Sequence, residues 1–414
     1  MLHRAVRLRG LAFASGPWHE SGSGLPRSWQ IVQHPLTLPF ILHATLILTE
    51  SPRTQGELLG LPVGMRVALA LVQAGITEIS LFGPDAARLC DEYRRDGRLP
   101  VPVQPHSPEL VIDLVCAEDA LVAPEQVREL GLGEALLDER AQIALLRVRP
   151  TRTADPRSLL QTEAVQQRAP GGDAVLRLFE RNDRRRAQQR LLASLIKPSD
   201  GPVSRHLNRH ISRAITRLVI PLGMTPNAMT VFVLITGLWG AYAASSPNPA
   251  SQLFGAFLYQ LHSIIDGCDG EIARLTQRFG KHGALIDSMV DDICNGAFFF
   301  GLSLGVARMT ETTWPLATGT LTALAYAGVI GLQYSAVLRA TGRGDKTKFW
   351  TSEPARFSLF ELFRALLRRD VFVLLILIAV AFGLQQPAVA VFPFAALGAL
   401  IASSMRLTQS NGAV

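Results

Sequence analysis

The chain has 414 residues, 48% of them hydrophobic, and a formal net charge of +7. That length calls for at least two structural units, and the apolar share is high for a soluble protein. Four cysteines without a CxxC pair (Cys90, Cys116, Cys268, Cys294) exclude a disulfide framework and fit reduced thiols.

The first 40 residues, beginning "MLHRAVRLRGLAFASG", are basic with one broken apolar patch too short for a signal segment. They read as a disordered cytoplasmic extension or as an upstream start. Over 41–150 strand-like and helix-like stretches alternate. "HATLILT", "ITEISLFG", "ELVIDLVCAED" and "AQIALLRVR" read as strands. "PVGMRVALALVQAG", "DAARLCDEYRRDG" and "PEQVREL" read as the helices between them. This alternation predicts a doubly wound α/β domain with a mainly parallel sheet.

Residues 151–200 hold a linker rich in Pro, Gly and polar residues, then a basic helix, "AVLRLFERNDRRRAQQRLLASLIK". From 201 the character changes. Arg205, Arg209, Arg213 and Arg217 recur every fourth residue, with Leu207, Ile211, Ile215 and Leu218 on another side. That pattern predicts an amphipathic helix in a membrane interface, or else a charged face packed on the soluble domain.

Six apolar stretches follow, at 228–245, 252–273, 284–306, 314–337, 371–384 and 388–405, and predict an all-α membrane domain over 201–414. The loops "RLTQRFGKHG" and "RATGRGDKTKFWTSEPARFSLFELFRALLRRD" are strongly basic, whereas "SPNP", "RMTET" and "QQP" carry only Arg308. Six spans with both termini in the cytoplasm satisfy the positive-inside rule and imply the inner membrane. Beside such spans the basic balance points to anionic lipid, and no nucleic-acid motif is present.

The stretch "DGCDGEIARLTQRFGKHGALIDSMVDD", 266–292, lies at the ends of the second and third apolar stretches. Asp266 and Asp269 are three apart and Asp287 and Asp291 four apart, so each pair shares a helix face. A short basic loop would bring the pairs face to face. Four converging carboxylates call for hard cations, Mg2+ or Mn2+, and one or two ions there would hold a phosphate or diphosphate. Carboxylates alone also fit a cation-coupled transporter or a binding scaffold. Gly270 exposes backbone and Ala273 leaves room for a ligand. Cys268 and Cys294 read as packing residues. Asp292 and Glu271 point away from the pairs, and Asn227 and Thr230 of "TPNAMT" either line the pocket or cap a helix.

The order Asp266-x2-Asp269-Gly270-x2-Ala273-Arg274, eight residues, Gly283-x3-Asp287-x3-Asp291 resembles the signature of the CDP-alcohol phosphatidyltransferase family. The resemblance runs from about 197 to the end. It implies transfer of a phospho-alcohol group from a CDP-alcohol to an acceptor alcohol or polyol phosphate, with release of CMP, as in phospholipid or inositol-phosphate synthesis. It implies that Asp266, Asp269, Asp287 and Asp291 hold the cations and that Asp291 is the base. It implies nucleotide contacts from Gly270, Ala273 and Arg274, and a homodimer.

The fused α/β domain resembles the subgroup of di-myo-inositol phosphate synthases, whose soluble domain can be a cytidylyltransferase. Here "LILTESPRTQGELLGLPVG" lacks the Gly-rich LxxGxGxR pattern, and no lysine precedes Lys197. Arg53 can stand in for the lysine, and Asp113, Glu118 and Asp119 for metal ligands. The expectation is a degenerate nucleotidyltransferase-like domain, with a bifunctional enzyme as the alternative. Arg339, Arg343, Lys346 and Lys348 form either an acceptor-phosphate pocket or an ordinary membrane anchor.

Overall fold

Strand β1 (His43–Ile47) is buried at all five positions, as a strand covered on both faces must be. It lies in register with β2 (Glu78–Phe82) and β4 (Ile112–Ala117), both parallel to it, and β3 (Val103–Pro105) extends the parallel set beyond β2. The connecting helices are α1 (Val63–Gln73) and α2 (Ala86–Asp96), the latter stopped by the left-handed Gly97. These coordinates are a computed structural model. It describes residues 43–48, 56–161, 166–168, 175–197, 200–280, 282–341 and 368–411. The expectations for 1–40, for Arg53, and for Arg343, Lys346 and Lys348 and the Arg339 side chain lie outside what is described.

The sheet is mainly parallel, as expected, but one strand, β7, runs against the rest. Seven strands lie in the order β3-β2-β1-β4-β7-β6-β8, and the sheet is mixed. After the two-residue strand β5 (Ala120–Leu121) and α3 (Pro124–Glu129), β6 (Glu134–Leu137) pairs antiparallel with β7 (Ile143–Thr151). β7 in turn runs antiparallel to β4, and β8 (Gln166–Arg168) is parallel to β6. The cause is the connection. Residues 138–142 are too few for a crossover helix, so β6 and β7 can only form a hairpin. Asp138 closes it by accepting the amide N–H groups of Arg140 and Gln142 at 2.9 and 2.8 Å. Past the linker, β9 (Leu176–Arg177) pairs with β5. The basic helix α4 therefore begins only at Arg181 and runs to Ala193.

The second half is helical. A π-helical turn (Ser204–Asn208) leads into α5 (Arg209–Val219). Then come α6 (Pro226–Ala244), α7 (Pro249–Thr276), α8 (Gly283–Thr310), α9 (Trp314–Thr341), α10 (Arg369–Ala381) and α11 (Gln385–Asn411). Each of the six apolar stretches is a helix. Among the described residues, three helices are long and apolar enough to cross a membrane: α6, α8 and the 314–332 part of α9. Thr225 caps α6, accepting the Ala228 N–H. At Gly255 of α7 an added Cβ would sit 2.5 Å from Ala244 N, so α6 and α7 touch backbone to backbone.

One apolar cluster joins the halves. It runs from Leu58 and Val63 of the α/β region through Leu191 of α4 to Ile272 and Leu275 of α7. α5 lies along α7 with Arg209, Ser212 and Thr216 turned inward, while Ile211 and Leu218 are exposed.

Candidate active site

The two predicted carboxylate pairs do come together. α7 presents Asp266 and Asp269 one turn apart, and α8 presents Asp287 and Asp291 from the other side. The Asp269 and Asp287 carboxyls approach within hydrogen-bond reach of each other. The Thr230 hydroxyl of α6 donates to Asp269 Oδ2 at 2.8 Å. Thr230 therefore lines the site, while its neighbour Thr225 is the cap.

Two residues that sequence reasoning passed over belong to the same cluster. Arg369, the first residue of α10, donates to Asp266 Oδ2 at 2.8 Å and contacts Asp291 Oδ2 with its other terminal nitrogen. The Asp370 carboxylate anchors that helix end by accepting the Ser204 N–H at 2.9 Å. His262, one turn before Asp266, is fully buried, and its Nε2 lies 3.7 Å from Asp291 Oδ1. The signal for Arg369 was the "RRD" opening of an apolar stretch, which also suits a membrane anchor. A lone His inside an apolar run carried no signal beyond its charge.

The donor set fits a hard cation. Asp266 Oδ1, Asp287 Oδ1 and Asp291 Oδ1 are buried and have no hydrogen-bond partner. Buried carboxylate oxygens are costly unless neutralised, and oxygen-only ligands of this number suit Mg2+ or Mn2+. Among the described residues, no three His, Cys, Asp or Glu side chains already enclose a metal position. The Arg369 guanidinium sits between Asp266 and Asp291 instead.

Around this cluster the expected nucleotide contacts line one side of α7. No atom lies within 4 Å of where a side chain on Gly270 or Gly283 would begin, so a ligand can approach both backbones. Arg274 lies one turn beyond Gly270, its Nε donating to Gly270 O at 2.9 Å. Ala273 is half-buried between them. Glu271 faces the opposite way: it accepts Arg209 Nη1 at 3.0 Å, Ser212 Oγ at 2.6 Å and Thr216 Oγ1 at 2.8 Å. Asp292 accepts the Tyr326 hydroxyl of α9 at 3.1 Å. Cys268 and Cys294 are fully buried in the apolar cluster, as packing residues are.

In the α/β region the acidic residues are engaged elsewhere. Asp119 is fully buried in a two-pronged pair with Arg177, at 3.0 and 3.1 Å. Asp113 accepts the His43 N–H at 3.1 Å, and Glu118 is buried.

Residues 223–385 match the family CDP-alcohol phosphatidyltransferase. The chain is similar to the bifunctional IPC transferase and DIPP synthase of Thermococcus kodakarensis, 36% identical over 131 residues, 31% of this chain and 29% of that protein. It is similar to the archaetidylinositol phosphate synthase of Pyrococcus horikoshii, 30% identical over 84 residues, 20% of this chain and 43% of that one. The inositol-phosphate subgroup that the α/β fusion resembles is thus the one its relatives come from. The chain spans about a third or less of the length of the curated bifunctional relatives it matches. Among solved structures, the phosphatidylinositol phosphate synthase of Mycobacterium tuberculosis with manganese and citrate aligns at TM-score 0.36 and 21% identity, over 48% of this chain and 87% of that one.

Proposed function

We propose that the protein is an integral membrane phosphotransferase that moves a phospho-alcohol group from a CDP-alcohol to an acceptor alcohol or polyol phosphate. The observation that carries this reading is the meeting of two carboxylate pairs from α7 and α8, with three buried oxygens left without partners. Asp266, Asp269, Asp287 and Asp291 would hold one or two divalent cations, which supply charge neutralisation at the diphosphate.

The residues of the chain do the rest. The open backbone at Gly270 and the adjacent Ala273 receive the nucleotide, and Arg274 supplies positive charge to its phosphate. Asp291, whose Oδ1 has no hydrogen-bond partner, takes the proton of the acceptor hydroxyl. The acceptor oxygen bonds to the phosphorus bearing the alcohol, the diphosphate bridge breaks, and CMP leaves with the bridging oxygen. The locked Asp119–Arg177 pair supports a degenerate α/β domain, so we assign it no cytidylyl transfer. The basic loops support six spans in the inner membrane, with the site and both termini on the cytoplasmic side and α5 in the interface.

The test is CMP release from a panel of CDP-alcohols by purified protein in detergent. Wild type releases CMP with at least one donor. Asp291→Asn lowers the rate by at least about a thousandfold, within the range of losing a general base plus a charge at the metal site. Full activity in Asp291→Asn, or no CMP from any donor, would overturn the reading.

A further inference from the structure

The α/β domain has lost the marks of a nucleotidyltransferase, yet its side chains reach the end of the helix that carries the active site. An α-helix leaves its last four carbonyls without intrahelical partners. In α7 these belong to Ala273, Arg274, Leu275 and Thr276. Ala273 O accepts the Gln277 and Arg278 N–H groups, and Arg274 O accepts the Gln277 side chain at 3.0 Å. The other two are taken by the α/β domain. Arg66 of α1 donates from Nη2 to Leu275 O at 2.7 Å and also to Leu58 O at 2.7 Å. Arg98, just after α2, donates from Nη1 to Thr276 O at 2.6 Å while Asp96 holds its other edge.

Two further contacts fix the same point. Gln73 Nε2 donates to Gln277 Oε1 at 3.2 Å, and Gln277 is the left-handed residue that ends the helix, with φ 54°. Such a backbone is unfavourable for a residue with a Cβ and persists only when the surroundings hold it. Gly60 approaches so closely that an added Cβ would lie 2.8 Å from Ile220 and 3.1 Å from Thr276. Arg66 is 4% exposed, and burial first, then the neighbouring Arg98, lowers its pKa to about 9. A buried guanidinium bonded to carbonyls is answered by the negative end of α7's dipole.

We propose that Arg66 and Arg98 are positioning residues for the transfer reaction: the α/β domain grips the C-terminal end of α7 and thereby sets the phosphate-binding turn from Gly270 to Arg274 against α8. This rests on the proposed phosphotransferase reading for its consequence, though not for the grip itself. Arg274 lies only one residue before the first gripped carbonyl. Fraying of the last turn would displace it, whereas Asp266, two turns further back, stays held by the packing of α7 on α6.

The experiment uses the full chain in detergent with Arg98→Gln, Arg66→Met and Arg66→Lys. Three quantities are read: thermal stability, amide hydrogen exchange over 275–278, and affinity for cytidine diphosphate by calorimetry. Arg98→Gln is the safer variant, because its side chain is partly exposed. We expect its melting temperature to stay close to wild type. Exchange over 275–278 rises about tenfold as a charged cap is lost, and cytidine diphosphate binds about fivefold more weakly. Arg66→Met shows the larger effect, and Arg66→Lys, which keeps the charge, restores part of it. If folded Arg98→Gln and Arg66→Met leave exchange at 275–278 unchanged, the grip is absent. If exchange rises and affinity does not fall, the arginines are only structural and the positioning role is wrong. Wild-type protein that binds no cytidine diphosphate counts against the phosphotransferase reading, and the exchange measurement then decides the grip by itself.

Discussion

Arg369 places a positive charge between Asp266 and Asp291, two of the proposed cation ligands. A unit charge about 4 Å from another costs or gains about 4 kcal/mol at the effective dielectric of a protein surface. Removing the guanidinium should therefore favour a cation in its place. Arg369→Gln is expected to bind Mn2+ about tenfold more tightly, which requires only about 1.4 kcal/mol of that repulsion. Asp287→Asn should bind it more weakly. Electron paramagnetic resonance of free Mn2+ reads both, and equal affinity in Arg369→Gln and wild type would remove the idea of competition. The aspartates were legible in the sequence because helical spacing puts them on one face. Arg369 was not, because its role depends on Asp291, 78 residues away, and "LLRRD" reads equally well as an anchor.

The α5–α7 clamp shows what spacing alone can and cannot tell. Four arginines at every fourth position read as the charged side of an interfacial helix or a charged face packed on the soluble domain, yet Arg209 is turned inward against α7. It pairs with Asp200 at 2.9 and 3.0 Å and with the fully buried Glu271. Asp200 gains from this: although burial raises its pKa, the Arg209 hydrogen bond and charge hold it below the ordinary carboxylate value. Arg209→Met leaves two carboxylates without their cation, and removing one partner of such a pair costs roughly 3–5 kcal/mol. The melting temperature in detergent should fall sharply for Arg209→Met. It should recover in part when Glu271→Leu is added, since that removes one of the two stranded charges and leaves only Asp200. No loss in Arg209→Met would mean the pair contributes nothing to holding α5. The sheet carries the same lesson. The parallel strands β1, β2 and β4 were visible as apolar runs between helices. The hairpin that makes the sheet mixed lay in "EALLDERAQIALL", where a short polar turn, not the strands, decides direction.

At the scale of the whole molecule, the helices α6 to α11 show apolar side chains outward. Phe232, Trp239 and Tyr242 on α6, Phe257 on α7 and Phe394 on α11 are each more than half exposed. An apolar surface of this kind needs lipid or detergent to cover it. Orientation is open to a direct test because the native thiols are silent. All four cysteines are fully buried, and burial also pushes the Cys90 thiol up to about 11. A membrane-impermeant maleimide reacts with exposed thiolate and should leave wild type unlabelled. Single cysteines can then report sides without a cysteine-free background. Thr312→Cys and Gln386→Cys sit at exposed positions on one end of the bundle, and Arg278→Cys is exposed at the other, beside the active site. With the basic loops in the cytoplasm, intact cells label Thr312→Cys and Gln386→Cys once the outer membrane is permeable, and inverted vesicles label Arg278→Cys. Labelling of Arg278→Cys from outside would reverse the orientation. Labelling of Thr312→Cys and Gln386→Cys from opposite sides would break the even count of spans between them, and with it the six-span reading.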